Sequence, residues 1–297
     1  MSKRTLALLA AIAATTIYGI NHTLAKGVMP HYVTPFGFIF LRVVGAALLF
    51  WGISVFGPRE TIERKDWGRM LVAALLGMVI NMLSFFKGLE LSTPINSAVL
   101  VTISPIIVVL LSAFFLKERI TWNKGLGIAL GFIGALALVL FGAELRQDAP
   151  NIPFGNFLFI VNATAYGSYL IVAKKLVAKY HPFTLMKWLF TIAVVINFPL
   201  TITDFLLIDW QTMPLWALGI IAFVIIGTTF MTYLFNVFAM TELKASTIGA
   251  FIYVQPLFGI LFALFTGKDS LTTVKVGAAL LVLFGVYLAS KKVREKA

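Results

Sequence analysis

The 297-residue chain carries twelve carboxylates, three histidines and no cysteine, and their positions exclude most chemistry before any element is assigned. Without cysteine there is no disulfide, thiolate zinc site or thiol nucleophile. The acids are Glu60, Glu63, Asp66, Glu90, Glu118, Glu144, Asp148, Asp204, Asp209, Glu242, Asp269 and Glu295. All of them avoid the middles of the long apolar runs, where coupled transporters place their proton relays. His22, His31 and His181 stand near the ends of such runs and read as solvated groups rather than ligands. There is no Ser/His/Asp arrangement, paired-histidine motif or phosphate-cradling glycine loop. No catalytic residue, metal site or cofactor is therefore expected, and a transport ATPase is excluded.

What remains is a set of neutral polar side chains within apolar runs. Tyr18 and Asn21 are three apart and share one helix face, as do Tyr166 and Tyr169, and Asn81 and Ser84. Thr229, Tyr233 and Asn236 form a stripe, and Ser104 and Gln255 each directly precede a proline, Pro105 and Pro256. Polar groups in hydrocarbon turn toward other helices or a wet cavity. Each is either interhelical glue, contributing around 1 kcal/mol, or part of a substrate site; together they point to a shared cavity. The two prolines lack the donor a helix interior requires, so they are expected to bend their helices, as hinges or as static kinks.

Arg42 is the most costly residue to accommodate. It lies seven residues inside an apolar run, about 10 Å deep at helical rise. The expected partner is Glu90, approaching from the same side with Lys87 one turn away; a gate or an anionic-substrate role for Arg42 is the sharper alternative.

The elements that must position these groups follow from composition. Sixty per cent apolar and twelve per cent charged residues describe a chain whose solvent is the bilayer. A membrane helix needs roughly 20 apolar residues. Ten segments qualify, near 5–25, 33–56, 68–88, 94–116, 124–142, 154–174, 183–205, 213–239, 246–266 and 272–290. Residues 1–14 imitate a secretory signal, but the apolar run continues to about Ala25, so an uncleaved first helix is expected. The net charge of +12 lies in short clusters between spans rather than along a groove, which argues against nucleic acid.

With a cytoplasmic N-terminus, that side receives Lys3, Arg4, Arg59, Arg64, Lys65, Arg69, Lys117, Arg119, Lys124, Lys174, Lys175, Lys179, Lys244, Lys291, Lys292, Arg294 and Lys296. The other side receives only Lys26, Lys87, Arg146, Lys268 and Lys275. This asymmetry places both termini in the cytoplasm. Trp67, Trp122, Trp188, Trp210 and Trp216 fall near span ends, as interfacial anchors do.

Self-comparison exposes a duplication. At an offset of 148, Thr16, Tyr18, Gly19, Ala25, Lys26 and Tyr32 meet Thr164, Tyr166, Gly167, Ala173, Lys174 and Tyr180. At 151, Pro105, Lys117, Thr121, Lys124 and Gly134 meet Pro256, Lys268, Thr272, Lys275 and Gly285. The expected fold is an all-α integral membrane protein of ten transmembrane helices in two five-helix repeats, 1–142 and 150–297. Five spans being odd, the second repeat is inverted, the usual scaffold of secondary transporters. Gly127, Gly131, Gly134, Gly277 and Gly285 are expected to allow close packing of the last helix of each repeat.

At these residues the chain resembles the drug/metabolite transporter superfamily and, within it, the EamA family. The stretches that carry the likeness are Tyr18-Gly19, Phe40-Leu41-Arg42, Gly88-Leu89, Pro105, Leu116-Lys117-Glu118 and the glycine-spaced fifth span. The second copy departs from the pattern, with Asp269 where a glutamate is typical and Phe190 at the position of Arg42. The resemblance implies a cofactor-free permease of the inner membrane, monomeric or homodimeric, moving small polar or amphipathic metabolites such as amino acids by alternating access. The rivals are a carrier of sugar phosphates or nucleotide sugars, which would demand several cavity cations, and a non-transporting receptor or membrane enzyme. The candidate substrate residues are Tyr18, Asn21, Asn81, Ser104, Tyr166, Tyr169, Tyr233, Asn236 and Gln255, with Arg42 and Glu90 as gate or charge pair and Pro105 and Pro256 as hinges.

Reporter fusions after Arg69 and after Arg146 are expected to report opposite sides of the membrane. Finding both on one side would overturn the inverted arrangement.

Overall fold

A computed structural model describes residues 3–116, 122–141, 147–242 and 255–290. Every regular element among them is helical. In chain order these are α1 (Lys3–Val28), α2 (Pro35–Ser54), α3 (Trp67–Ala74), α4 (Asn81–Leu91), α5 (Pro94–Leu100), α6 (Ser104–Leu116) and α7 (Trp122–Phe141). They continue as α8 (Ile152–Val177), α9 (Pro182–Leu206), α10 (Leu215–Ala222), α11 (Thr232–Glu242), α12 (Gln255–Phe265) and α13 (Thr273–Ser290). A π-helical segment, Leu75–Ile80, joins α3 to α4 in one rod, and another, Phe223–Met231, joins α10 to α11. Six rods among the described residues are long and apolar enough to cross a membrane: Thr5–Val28, Pro35–Ser54, Arg64–Leu91, Ile152–Ala173, Pro182–Leu206 and Leu215–Phe235. The other expected spans coincide with α5–α6, α7, α12 and α13, of which the stretch 246–254 lies outside the described residues.

Local sequence sets where the rods begin. Thr34 accepts the Gly37 amide at 3.1 Å ahead of Pro35, Thr93 accepts the Asn96 amide at 3.3 Å ahead of Pro94, and the His181 ring accepts the Phe183 amide at 3.3 Å ahead of Pro182. In each case the side chain satisfies a free helix donor, and proline occupies the position that needs none. After α12, Gly267 at φ +63° ends the helix in the left-handed conformation, its amide bonding to the Leu264 carbonyl.

Around Pro105 the helix runs on through a change of winding, with Leu100, Val101 and Ser104 all in the right-handed helical region. Proline cannot supply the amide that would bond Val101 O, and the chain tightens there into a 3-10 turn, Val101–Ile103. Ser104 Oγ donates to that carbonyl at 2.8 Å and Thr102 Oγ1 to Val99 O at 2.6 Å.

The helices pack in a reciprocal pattern. α2 lies along α9 and α7 along α13; α4 packs on α8 while α1 packs on α11, and α6 packs on α8 while α1 packs on α12. Lipid chains are as apolar as leucine, so cohesion comes from close van der Waals contact rather than from transfer out of water. Side chains such as Leu48, Phe114, Leu215 and Phe265 point outward, as a hydrocarbon surround demands. The α7–α13 seam is the tightest. A methyl on Gly285 would stand 2.5 Å from the Gly131 nitrogen and 2.6 Å from the Gly127 oxygen, and one on Gly134 would meet the Ala278 oxygen at 2.8 Å. Gly277 differs from the expectation: nothing lies within 4 Å of the added atom, so it takes no part in the seam.

Polar locks hold both ends. At one, Lys179 pairs with Glu63 and Asp66 at 2.6 Å each, and the Tyr180 hydroxyl donates to Asp66 at 2.7 Å. At the other, Lys87 pairs with Glu90, Lys26 donates to the Glu90 carbonyl at 2.7 Å, and Asp269 accepts the Ile95 amide and the Lys275 ammonium, both at 3.0 Å. The Asp269 and Lys275 side chains are wholly buried, so each charge depends on the other.

Asp66 and then Glu63 raise the Lys179 ammonium above the ordinary lysine range, while Lys179 and then Lys65 hold Glu63 below the ordinary carboxylate range. The Glu63 contribution is complete above its unfolded value of about 4.3 and is lost as pH falls through the lower folded value. The Lys179 contribution is complete below about 10.4 and is lost as pH rises through the higher folded value. Exposure keeps both small. Lys179→Met is expected to flatten the loss of thermal stability below about pH 5 and above about pH 10; an unchanged pH profile would show that the contact adds nothing.

Gly277→Ala is expected to stabilise the protein by about 0.5–1 kcal/mol through lower unfolded-chain entropy, and Gly285→Ala to destabilise it by about 1–3 kcal/mol through overpacking. Thermal melting of both in detergent checks this, and the seam would be misassigned if both moved the same way.

Candidate functional site

The rods enclose a cavity with about 140 Å³ of room for the centres of water-sized molecules, far more than a single water requires. Its wall takes Tyr18, Asn21 and His22 from α1, Arg42 from α2, Asn81, Met82 and Phe85 from α4, and Val101 from the 3-10 turn. Asn162 and Tyr166 of α8, Thr228 of the second π-helical segment, Tyr233 of α11 and Gln255 of α12 complete it.

Helix spacing explains how single elements present these groups. Tyr18 and His22, and Asn162 and Tyr166, are each one turn apart and share a face. Cross-links then fix the wall. Thr228 Oγ1 donates to Asn21 Oδ1 at 3.1 Å. Asn162 Nδ2 donates to the Asn81 carbonyl at 2.8 Å, and Asn81 Nδ2 returns a longer bond to the Asn162 carbonyl at 3.4 Å. Asn162 Oδ1 is buried without a partner.

Arg42 is 9% exposed. Its Nε donates to Thr229 Oγ1 at 2.7 Å, and the guanidinium lies over the Phe86 ring at 5.5 Å. Thr229 passes its own hydroxyl proton to the Val224 carbonyl, five residues back, at 3.0 Å, which a π-helical turn brings within reach. The expected Arg42–Glu90 pair is not formed. Glu90, one residue from the end of α4, pairs with Lys87 instead. Arg42 sits about two turns deeper, where the nearest acceptor is a threonine hydroxyl.

His22 also departs from expectation. It was expected to be solvated, but α1 runs on to Val28 and buries the ring to 2% exposure against Phe85. Its Nδ1 lies 2.7 Å from Ser97 Oγ, and Ser97 gives its only hydroxyl proton to the Pro94 carbonyl at 2.9 Å. With the Ser97 proton on that carbonyl, Ser97 accepts from Nδ1–H and Nε2 is the ring's acceptor.

Of the candidates, Tyr18, Asn21, Asn81, Tyr166, Tyr233, Gln255 and Arg42 are gathered around this one space. Ser104 is committed to the Val101 carbonyl. Tyr169 is buried flat against Gly77, where an added methyl would stand 2.6 Å from its ring. Pro256 is buried in α12. The side chains of Pro105 and Asn236 lie outside the described residues. Sequence reasoning passed over His22, Asn162 and Thr228. The one-turn spacing of the first two from Tyr18 and Tyr166 was the available signal.

The sequence pattern of the EamA-like transporter family matches residues 5–140 and again 153–291. An uncharacterized transporter of Archaeoglobus fulgidus is 27% identical over 279 residues, covering 93% of this chain and 96% of the relative. The uncharacterized transporter YyaM of Bacillus subtilis is 24% identical over 252 residues, covering 85% of this chain and 82% of the relative. One crystal structure shares the fold over 96% of both chains, with a TM-score of 0.61 at 18% identity. A family pattern that covers nearly the whole chain, on a bundle of apolar rods around a polar cavity, assigns the protein: this multi-pass membrane chain belongs to the EamA-like transporter family.

Proposed function

We propose that the chain is a secondary transporter of small polar or amphipathic metabolites, amino acids among the classes considered, working by alternating access around the central cavity. The observation that carries this reading is the composition of the cavity wall: α1, α2 and α4 face α8, α11 and α12 across it, so both halves supply polar groups to one space. A ten-span arrangement of two inverted halves, 1–142 and 150–297, is supported by three features. The family pattern matches twice in tandem. The packing partners exchange between halves, α4 with α8 against α1 with α11. The two π-helical segments begin at Leu75 and Phe223, separated by the repeat offset of 148. The basic-residue asymmetry supports cytoplasmic termini in an inner membrane. A sugar-phosphate carrier fits less well, because Arg42 is the single charged group among the described lining residues.

The absence of cysteine permits a test that needs no known substrate. Single cysteines replacing Asn81 and Tyr166 are expected to react with membrane-impermeant thiol reagents from at least one face of sealed vesicles, whereas one replacing lipid-facing Leu48 should not. Cavity positions that remain unlabelled from both faces would refute a water-accessible transport site.

Cavity lining and packing are further separated by two neighbours on α8. Tyr166→Phe is expected to leave thermal stability within about 1 kcal/mol, while Tyr169→Ala empties the space against Gly77 and is expected to cost roughly 3–5 kcal/mol. The reverse order of melting temperatures would exchange their roles.

A further inference from the structure

Among the described residues, the cavity wall holds one fixed charge, Arg42, whose hydrogen-bonding capacity is largely unused. Arg42 has five N–H donors; Nε is bonded to Thr229, and the two terminal nitrogens make no hydrogen bond or ion pair with any described residue. The group is more than nine-tenths buried, with one face resting on Phe86. A guanidinium so placed lacks the hydration it would have in water, and its planar fork matches the two oxygens of a carboxylate.

The rest of the wall restricts what else that ligand can carry. No carboxylate lines the cavity among the described residues, so an ammonium group would find no opposite charge. The neutral amide oxygens carry no formal charge to replace one, and Asn21 Oδ1 already accepts from Thr228. Arg42 is the only Lys, Arg, Asp or Glu among the described lining residues, so a dianion would keep one charge without such a partner. Met82 and Phe85 offer an apolar surface beside these groups.

Resting on the transport reading above, we propose that the cavity selects small monocarboxylates of net charge −1, with an apolar or aromatic body and no ammonium group, held by the free fork of Arg42.

The test is thermal stabilisation of the purified protein by matched trios: phenylacetate, phenylacetamide and phenylalanine, and the corresponding indole and short aliphatic acids with their amides and amino acids. Acids are expected to bind the wild type at least tenfold more tightly than their neutral or zwitterionic counterparts in one or more trios. Arg42→Gln is expected to abolish that preference, and Arg42→Lys, which keeps the charge without the fork, to weaken it. The inference falls if no acid in the panel is preferred over its amide, if the amino acids bind as tightly as the acids, or if Arg42→Gln retains the preference. The wild-type comparison decides alone should the variants fail to fold. Cavity cysteines that label normally alongside an absent acid preference would leave the transport reading intact and remove only this one. Failure to label would remove both.

Discussion

Within hydrocarbon no water is available to complete a hydrogen bond, so every polar group in this bundle must find its partner inside the protein. That constraint explains features that otherwise look unrelated. Pro105 cannot donate to the Val101 carbonyl, which instead accepts both the backbone amide and the hydroxyl of Ser104. Thr15, Thr201 and Thr232 return their hydroxyl protons to carbonyls one turn back. Lys275 enters the interior only with Asp269 beside it. At the cavity wall the pairing is incomplete: the terminal nitrogens of Arg42 make no hydrogen bond with a described residue, and Asn162 Oδ1 is buried without a partner. Groups left incomplete in such a setting need water or a ligand, and this gives the site its chemical character.

Cohesion and site construction are divided between different helices. The α7–α13 seam, with backbone against backbone at Gly131, Gly134 and Gly285, contributes none of the described side chains that line the cavity. α1, α4, α8 and α11 supply most of the wall and are linked by hydrogen bonds that reach across more than half the chain, as from Thr228 to Asn21. The bundle therefore pairs a close-packed brace with a looser polar core, and the two rods that carry π-helical turns both belong to the core side.

Much of this was legible before any coordinates. Helix periodicity places Tyr18 beside Asn21 and sets Tyr166 at the matching point of the second copy, and those groups do face one space. Spacing along one helix, however, says which residues share a face, not what that face meets. Tyr166 and Tyr169 are indistinguishable by composition and near neighbours by angle, yet one lines the cavity and the other fills the gap above Gly77. Gly277 and Gly285 likewise look equivalent until the neighbouring helix is present. The Arg42–Thr229 bond spans 187 positions, and no local signal announces it. His22 was misjudged for a simpler reason: three further residues of α1 move it from the rim to the interior.

The replacement of arginine by phenylalanine at the matching position of the second copy has a consequence for the carrier as a machine. Phe190 is fully buried and stacked on Phe50, 5.4 Å between ring centres, where a symmetric duplicate would have set a second cation. Two identical halves related by a two-fold axis in the membrane plane would face either side of the membrane at equal energy. Among the described lining residues the positive charge belongs to one half alone, so exchanging the roles of the halves does not reproduce the same electric field in the cavity. On the alternating-access reading proposed above, such a carrier has an electrical bias, and its two orientations differ in energy even when the solutions on both sides are the same.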